Sequence, residues 1–481
     1  MAGFSFSRIP VHVPKIQTRY RKISTALPVP ESLQILDDLD KYESRSMHGQ
    51  MPIVWDHAED FQVSDKYGNT WIDFTSTIFV ANAGHANPKI CEALKRIIDH
   101  KLLHSYTYYT EIRRDYIKKL IGFTSPQFEK AFLLSSGTEA TECALKLMRM
   151  QAKVSGKRKP VIVSFEESMH GRTLGAQMMG GTPAAREWIG YEDPNIHRLQ
   201  FPYPWKMKDE NGRKVSGEAL FSTHIEQLKQ KGINPETDIC GFILESYIGW
   251  GAVFFPVDYV IALEKFAHEQ DILVTFDEIQ AGFGRTGTLF AYQHYGVEPD
   301  IICCGKGISS SLPLSAVLGS QKIMDLPEIG SMSSTHSANP LSCAAGLANI
   351  EYLESHNLVS EAERKGKILF NGLDKIHKRF PERIAEIMGK GLLAALLFKD
   401  PKSGVPDSLS ASLICEKAMQ KGLLLVHTGR ESIKIGPPLT ISDEALIEGL
   451  NVLEDSIEEI VKLGGCYDLQ SKTYRDCSKK N

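Results

Sequence analysis

Two short apolar runs, Ile272-Leu273-Val274-Thr275-Phe276 and Ile301-Ile302-Cys303-Cys304, constrain this chain more than any other feature. Each is apolar at nearly every position and rich in β-branched residues, the pattern of a strand buried on both faces of a parallel sheet. The first run ends in Asp277-Glu278-Ile279-Gln280 and the second in Gly305-Lys306-Gly307. Open α/β sheets place their ligands at the carboxyl ends of the strands, so Asp277 and Lys306 stand where chemistry is expected. Taken singly, each has an ordinary explanation: an Asp after a strand commonly caps the next helix, and a Lys there is commonly solvated. Their occurrence at the ends of consecutive buried strands, with glycines close by, weighs against both.

A third segment adds an anion site. Ser135-Ser136-Gly137-Thr138-Glu139-Ala140 follows the apolar Ala131-Phe132-Leu133-Leu134 and opens a helix expected over 139–150. A strand, a small-residue turn and a helix N-terminus present backbone N–H groups and hydroxyls to a phosphate. Gly137 permits close approach, and Thr138 adds a side-chain donor. Alone, the same string is a good helix cap. Together with Asp277 and Lys306 it suits a pyridoxal-phosphate enzyme, in which a lysine condenses with the aldehyde and a carboxylate pairs with the protonated ring nitrogen.

These residues belong to a longer ordered set. The set comprises Asn82-Ala83-Gly84-His85-Ala86-Asn87-Pro88, Ser136-Gly137-Thr138-Glu139-Ala140 and His170-Gly171-Arg172-Thr173. It continues with Asp277-Glu278-Ile279-Gln280-Ala281-Gly282-Phe283-Gly284-Arg285-Thr286-Gly287, Lys306, and Thr335 ahead of Asn339-Pro340-Leu341. With it, the chain resembles the class III aminotransferases over roughly 55–461. The resemblance implies the α/β architecture of the fold-type I pyridoxal-phosphate transferases: a mostly parallel seven-stranded sheet between helices, plus a smaller α+β domain. It implies pyridoxal 5'-phosphate as cofactor, Lys306 as Schiff-base lysine and proton carrier, and Asp277 on the pyridinium nitrogen. Gln280 is expected near the ring hydroxyl, Ser136, Gly137 and Thr138 at the phosphate, and Glu245 near the cofactor. Thr335 matches a threonine given to the phosphate by the neighbouring subunit, so a homodimer with a shared site is expected.

Departures from the family pattern bear on substrate. Met169 precedes His170-Gly171-Arg172-Thr173 where the family usually has an aromatic ring stacked on the cofactor. A thioether packs on an aromatic face but is more flexible, and His170 or Tyr108-Tyr109 are candidates to compensate. Lys434, before Gly436-Pro437-Pro438-Leu439, occupies the position of a carboxylate-binding arginine. Trp250 occupies that of the glutamate that neutralises the arginine. Lysine lacks the planar fork that grips a carboxylate twice. Arg172 and Arg430 remain as carboxylate partners, Arg430 being read as an ordinary structural ion pair. Trp250 is expected to favour a bulkier or less acidic amine.

The expected reaction is ping-pong transamination from an amine or ω-amino acid donor to a 2-oxo acid or aldehyde acceptor. The runner-up is elimination of ammonia or phosphate on the same scaffold. A non-catalytic binding protein would have no use for Lys306, Asp277 and the phosphate turn together. Of 481 residues, 42% are hydrophobic and the formal net charge is −4, which leaves no electrostatic footprint for nucleic acid. No apolar run reaches the ~20 residues that span a bilayer. The nine cysteines lack metal-ligand spacing and read as reduced core thiols, so no metal and a cytoplasmic setting are expected. The arm at 1–30 is basic and free of Asp and Glu, but Pro10 and Pro14 interrupt any amphipathic helix. It is read as an extended arm across a partner subunit, with mitochondrial targeting as the minority reading. The expected divisions are 1–89 for the arm and part of the small domain, 90–334 for the large cofactor-binding domain, 335–465 for the C-terminal small domain and 466–481 for a polar tail.

Overall fold

The computed structural model describes residues 4–208, 212–463, 467–468 and 473–474. Cys466, Cys477 and most of the tail lie outside them. The chain forms two compact units: Pro88–Gly249 with Val253–Ser360, and Met1–Asn87 with Trp250–Ala252 and Glu361–Asn481.

The unit at 88–360 is built on one seven-stranded sheet. Its strands are β1 (Lys130–Leu134), β2 (Val161–Phe165), β3 (Ile196–Leu199), β4 (Ile239–Glu245), β5 (Leu273–Asp277), β6 (Ile301–Cys304) and β7 (Ser315–Gly319). They lie in the order β1-β7-β6-β5-β4-β2-β3. Only β7 is reversed, antiparallel to β1 and β6; the remaining neighbours are parallel. Every residue of β4, β5 and β6 is buried, which explains their unbroken apolar character.

Helix α1 (Gly137–Val154) follows β1 directly and buries Ala140, Ala144, Leu147 and Met148, spaced three and four apart, in the same core as Ile243 of β4 and Cys303 of β6. A Cβ on Gly241 would run into Met148, so a glycine in β4 lets α1 sit close to the sheet. Register matters most at the strand ends. Asp277 pairs with Glu245 on one side and Cys303 on the other, so β4, β5 and β6 deliver their C-terminal residues level with one another. The helix Pro340–Ser355 packs on the helices Pro88–Asp99 and Glu111–Phe123 and therefore belongs to this unit.

The other unit contains the hairpin Gln62–Ser64 with Thr70–Asp73 and a four-stranded antiparallel sheet of Ile384–Lys390, Leu393–Phe398, Ser432–Ile435 and Val426–His427. The run 422–426 is divided: Leu423–Leu424 pairs with Ile72 and Asp73, then the chain crosses to the other sheet at Val426. The basic arm is tied down on its own chain. Arg8 pairs with Asp40, Arg21 with Glu448 at 2.6 Å, and Ile16–Gln17 forms a ladder with Lys22–Ile23.

Candidate active site

Asp277 ends β5 buried, and both of its oxygens are engaged. Oδ1 accepts the Ile279 amide at 3.1 Å, and Oδ2 lies 2.9 Å from His170 Nδ1. His170 comes from the turn after β2; its ring is buried and its Nε2 has no hydrogen-bond partner among the described residues. Beside Asp277 across the register, Glu245 ends β4 with only 7% of its surface exposed. Its Oε1 accepts the amides of Met169 (2.9 Å) and Gly249 (3.3 Å). Burial, opposed by His170 and reinforced by the charge of Asp277, pushes the Glu245 carboxyl up to about 7.

Lys306 follows β6 after Gly305. Its φ of 47° is a left-handed conformation that a residue with a Cβ holds only at a cost, and such strain gathers at functional sites. The side chain is half-buried, and among the described residues its ammonium has no hydrogen bond or ion pair. Burial lowers its proton affinity, while Asp277 and Glu245 raise it. The neighbouring thiols of Cys303 and Cys304 are pushed well up by burial and stay protonated core groups.

The helix-start turn is both a cap and a cradle. The Glu139 carboxylate accepts the amides of Ser135 (3.0 Å) and Ser136 (2.7 Å), which is the capping arrangement its sequence resembles. Ser136 remains exposed, and Gly137 and Thr138 lead α1 with its dipole behind them. Ile279 joins the two halves of the site: Cβ atoms built on Gly137 and on Gly305 would each lie 3.0 Å from its side chain. Thr138 Oγ1 is 2.7 Å from Thr173 Oγ1, and Thr173 in turn donates to Glu142 at 2.7 Å. Ile279, Thr173 and Glu142 had no role in the sequence reading. Thr173 lies inside a motif, whereas nothing in the sequence marks Glu142.

Gly171, at φ +147°, has no room for a side chain, because a Cβ there would overlap Thr138. Gly171→Ala is expected to displace Thr138 and weaken cofactor binding about tenfold, close to 1.4 kcal/mol, in a titration of the apoprotein.

The other sequence candidates lie at varied places, Met169 and Gln280 beside Glu245. Gln280, directly after Ile279, is half-buried, and its carbonyl accepts the Tyr247 hydroxyl at 3.1 Å. Met169 is 48% exposed and Tyr108 77%, and Arg172 and Thr335 are also exposed. The Thr335 carbonyl faces His104 Nε2 at 3.1 Å. In the unit containing 361–463, Lys434 is buried, with its ammonium 4.9 Å from the centre of the Phe79 ring. The Arg430 guanidinium lies 3.8 Å from the centre of the Trp250 ring, and Ser432 Oγ donates to the Trp250 carbonyl at 2.7 Å. Arg430 also pairs with Glu431 at 3.5 Å, as expected of a structural ion pair, and adds a cation–π contact that spacing alone does not announce.

The donor set fits pyridoxal phosphate. A half-buried amine, without a partner among the described residues, stands next to two buried carboxylates, and a helix N-terminus carrying Ser136 and Thr138 lies one isoleucine away. Comparison with known proteins decides the family, since the class-III aminotransferase family model matches residues 44–457. The chain belongs to the class III aminotransferases. A probable 4-aminobutyrate aminotransferase of Bacillus subtilis is 34% identical over 413 residues, covering 82% of this chain and 91% of that one. An alanine/serine racemase of Pyrococcus horikoshii is 30% identical over 471 residues, covering 95% and 97%. An amine transaminase from an uncultivated Pseudomonas species, solved in its PLP-bound form, is 25% identical with a TM-score of 0.77, covering 87% and 97%. The chain is an aminotransferase of fold type I, its reaction is transamination, and its cofactor is pyridoxal 5'-phosphate. Among the described residues no helix is long and apolar enough to cross a membrane.

Proposed function

We propose that this class III aminotransferase takes nitrogen from an ω-amino acid or amine and gives it to a 2-oxo acid or aldehyde, with Lys306 as the covalent residue. The Lys306 amine, unpartnered among the described residues and close to the charges of Asp277 and Glu245, is the observation that carries this reading. When bound, the cofactor supplies an aldehyde that captures amines and a ring that accepts the electrons of a broken C–H bond. With it bound, Lys306 would be the group that carries the proton between the substrate Cα and C4′. Asp277, held by His170, keeps the ring nitrogen protonated. Ser136, Gly137 and Thr138 would hold the phosphate, Gln280 the ring hydroxyl, and Met169 the ring.

The protein acts as a homodimer, with Thr335 reaching the phosphate of the neighbouring subunit. In support, the Thr335 side chain is exposed, and so are Leu103, Tyr106, Tyr108, Tyr109 and Ile329 on nearby segments of the same unit. The cytoplasm is its proposed location.

Substrate choice rests on Trp250, Lys434, Arg172 and Tyr108. A buried lysine over Phe79 is poorly placed to grip a carboxylate, and an indole under Arg430 offers an apolar wall in place of an acid. The amine donor is therefore bulkier or less acidic than glutamate. Trp250→Glu is expected to lower kcat/KM for a bulky amine relative to 4-aminobutyrate about tenfold, the range one apolar contact contributes to discrimination. Equal ratios in the two proteins would remove Trp250 from the pocket.

The test of the main reading is a half-reaction. An amine donor added alone should bleach the yellow holoenzyme, and a 2-oxo acid or aldehyde should restore the colour with release of an aminated product. Racemisation or elimination would proceed without an acceptor and leave the colour.

A further inference from the structure

A half-buried arginine without a counter-ion stands in the first turn of the helix Glu111–Phe123. Arg113 Nη1 donates to the Thr107 carbonyl at a long 3.4 Å, and the guanidinium makes no ion pair among the described residues. Most of its five N–H groups are therefore unused. The carboxylates beside it on the helix serve a different cation: Arg114 Nε donates to Asp115 at 2.8 Å, and Glu111 also acts on Arg114.

Arg113 lines a cavity of about 70 Å³, several times the ~15 Å³ that one water needs. Ser333, Ser334 and Ser337 share its wall, and no Asp or Glu lines it among the described residues. Ser337 Oγ is buried without a hydrogen-bond partner among those residues, and Ser334 Oγ has none either. Ile117 and Phe132 supply an apolar side, against which a charge–charge contact is screened less than in water. Tyr106 and Ala338 border the same space with φ of 51° and 54°, a left-handed backbone that residues with a Cβ hold at a cost. A cation and a buried hydroxyl left unsatisfied together cost free energy that the right ligand recovers.

We propose that Arg113, Ser333, Ser334 and Ser337 form a binding site for a small tetrahedral oxyanion of the phosphate type. Its residues are other than those of the cofactor-phosphate turn at Ser136, Gly137 and Thr138. The donor set selects the shape of the ligand. A guanidinium fork takes two oxygens, which uses up a carboxylate, whereas a tetrahedral oxyanion has two more for the hydroxyls. Occupied, the site joins the helix Glu111–Phe123 to the segment that carries Thr335. The inference itself stands without the proposed role of that threonine.

The test uses holoenzyme, in which the cofactor fills the turn at 136–138, with inorganic phosphate as the probe. Binding is read by calorimetric titration at constant ionic strength, and the yellow absorbance confirms that each variant keeps its cofactor. Wild type is expected to take up one phosphate per chain. Arg113→Gln should weaken that binding at least tenfold, the size of one lost charge-assisted contact, and Ser337→Ala about fivefold. Arg113→Lys keeps the charge without the fork and should fall between wild type and the glutamine protein. Sulfate should compete with phosphate, and acetate and chloride should not. Absence of saturable uptake by wild type would overturn the inference. So would uptake unchanged in both Arg113→Gln and Ser337→Ala, or competition by chloride as strong as by sulfate. Should Arg113→Gln fail to fold, the smaller change at Ser337 decides alone.

Discussion

Lys306→Ala is expected to abolish the yellow colour of the purified protein and to lower transamination by about four orders of magnitude or more. The magnitude follows from two losses at once. A positioned acid–base group contributes roughly 10²–10⁴ in rate, and the covalent anchorage of the cofactor is lost as well. The fold should tolerate the change. Lys306 makes no ion pair among the described residues, and its φ of 47° is easier for alanine than for a longer side chain only by a small margin. Folding is thus expected to be intact by circular dichroism, with phosphate-end binding of the cofactor retained through Gly137 and Thr138. Lys306→Arg separates charge from chemistry: it restores a cation beside Asp277 and Glu245 but cannot condense with an aldehyde. Persistence of the absorbance in the alanine protein would refute the assignment of the lysine. Recovery of activity in the arginine protein would show that charge, not bond formation, is the contribution of this position.

What the sequence discloses and what it withholds divide along a physical line. Asp277 and Lys306 are legible because a parallel strand buried on both faces announces itself as an unbroken apolar run, and the polar residue that ends it marks the rim of the sheet. The phosphate turn is legible for a similar reason, small residues between a strand and a helix. The register that sets Glu245 directly beside Asp277 is invisible in one dimension, although Glu245 could be found at the end of its own run. Ile279 stands within a motif, but its packing against Gly137 and Gly305 depends on two loops meeting. Arg430 makes the expected ion pair, with Glu431 at 3.5 Å, but its cation–π contact with Trp250 leaves no mark on spacing. Likewise, the division of 422–426 between two sheets follows from one distant partner, Ile72, and one nearby, Lys434, which the local sequence does not tell apart. The arm shows the same limit from the other side: its basic residues find Asp40 and Glu448 on their own chain.

Asp277→Asn carries the second largest expected effect, and its signature is a split between activity and stability. Asparagine is nearly isosteric, and its oxygen can still accept the Ile279 amide that Asp277 Oδ1 receives. What disappears is the negative charge that favours a protonated ring nitrogen, so a loss in kcat of about 10³-fold is expected, the size of one lost electrostatic partner at a reacting centre. Stability should move the other way. Asp277 and Glu245 are buried carboxylates at paired register positions, and Glu278 adjoins them. Burial raises both glutamates to about 7 and the charge of Asp277 adds to it, so removing that anion should lower each somewhat while burial keeps them raised. A glutamate whose folded value is raised destabilises the fold above its unfolded value, by an amount that reaches its full size once pH exceeds the folded value. Lowering that value therefore stabilises the apoprotein chiefly above neutrality. The expected result is an apoprotein with a higher Tm than wild type at pH 8, little difference at pH 5, and almost no turnover at either. A Tm that falls at pH 8 would mean that Asp277 is kept for its bond to His170 and for the fold. A kcat reduced less than about tenfold would mean that the ring nitrogen is held by something other than this carboxylate.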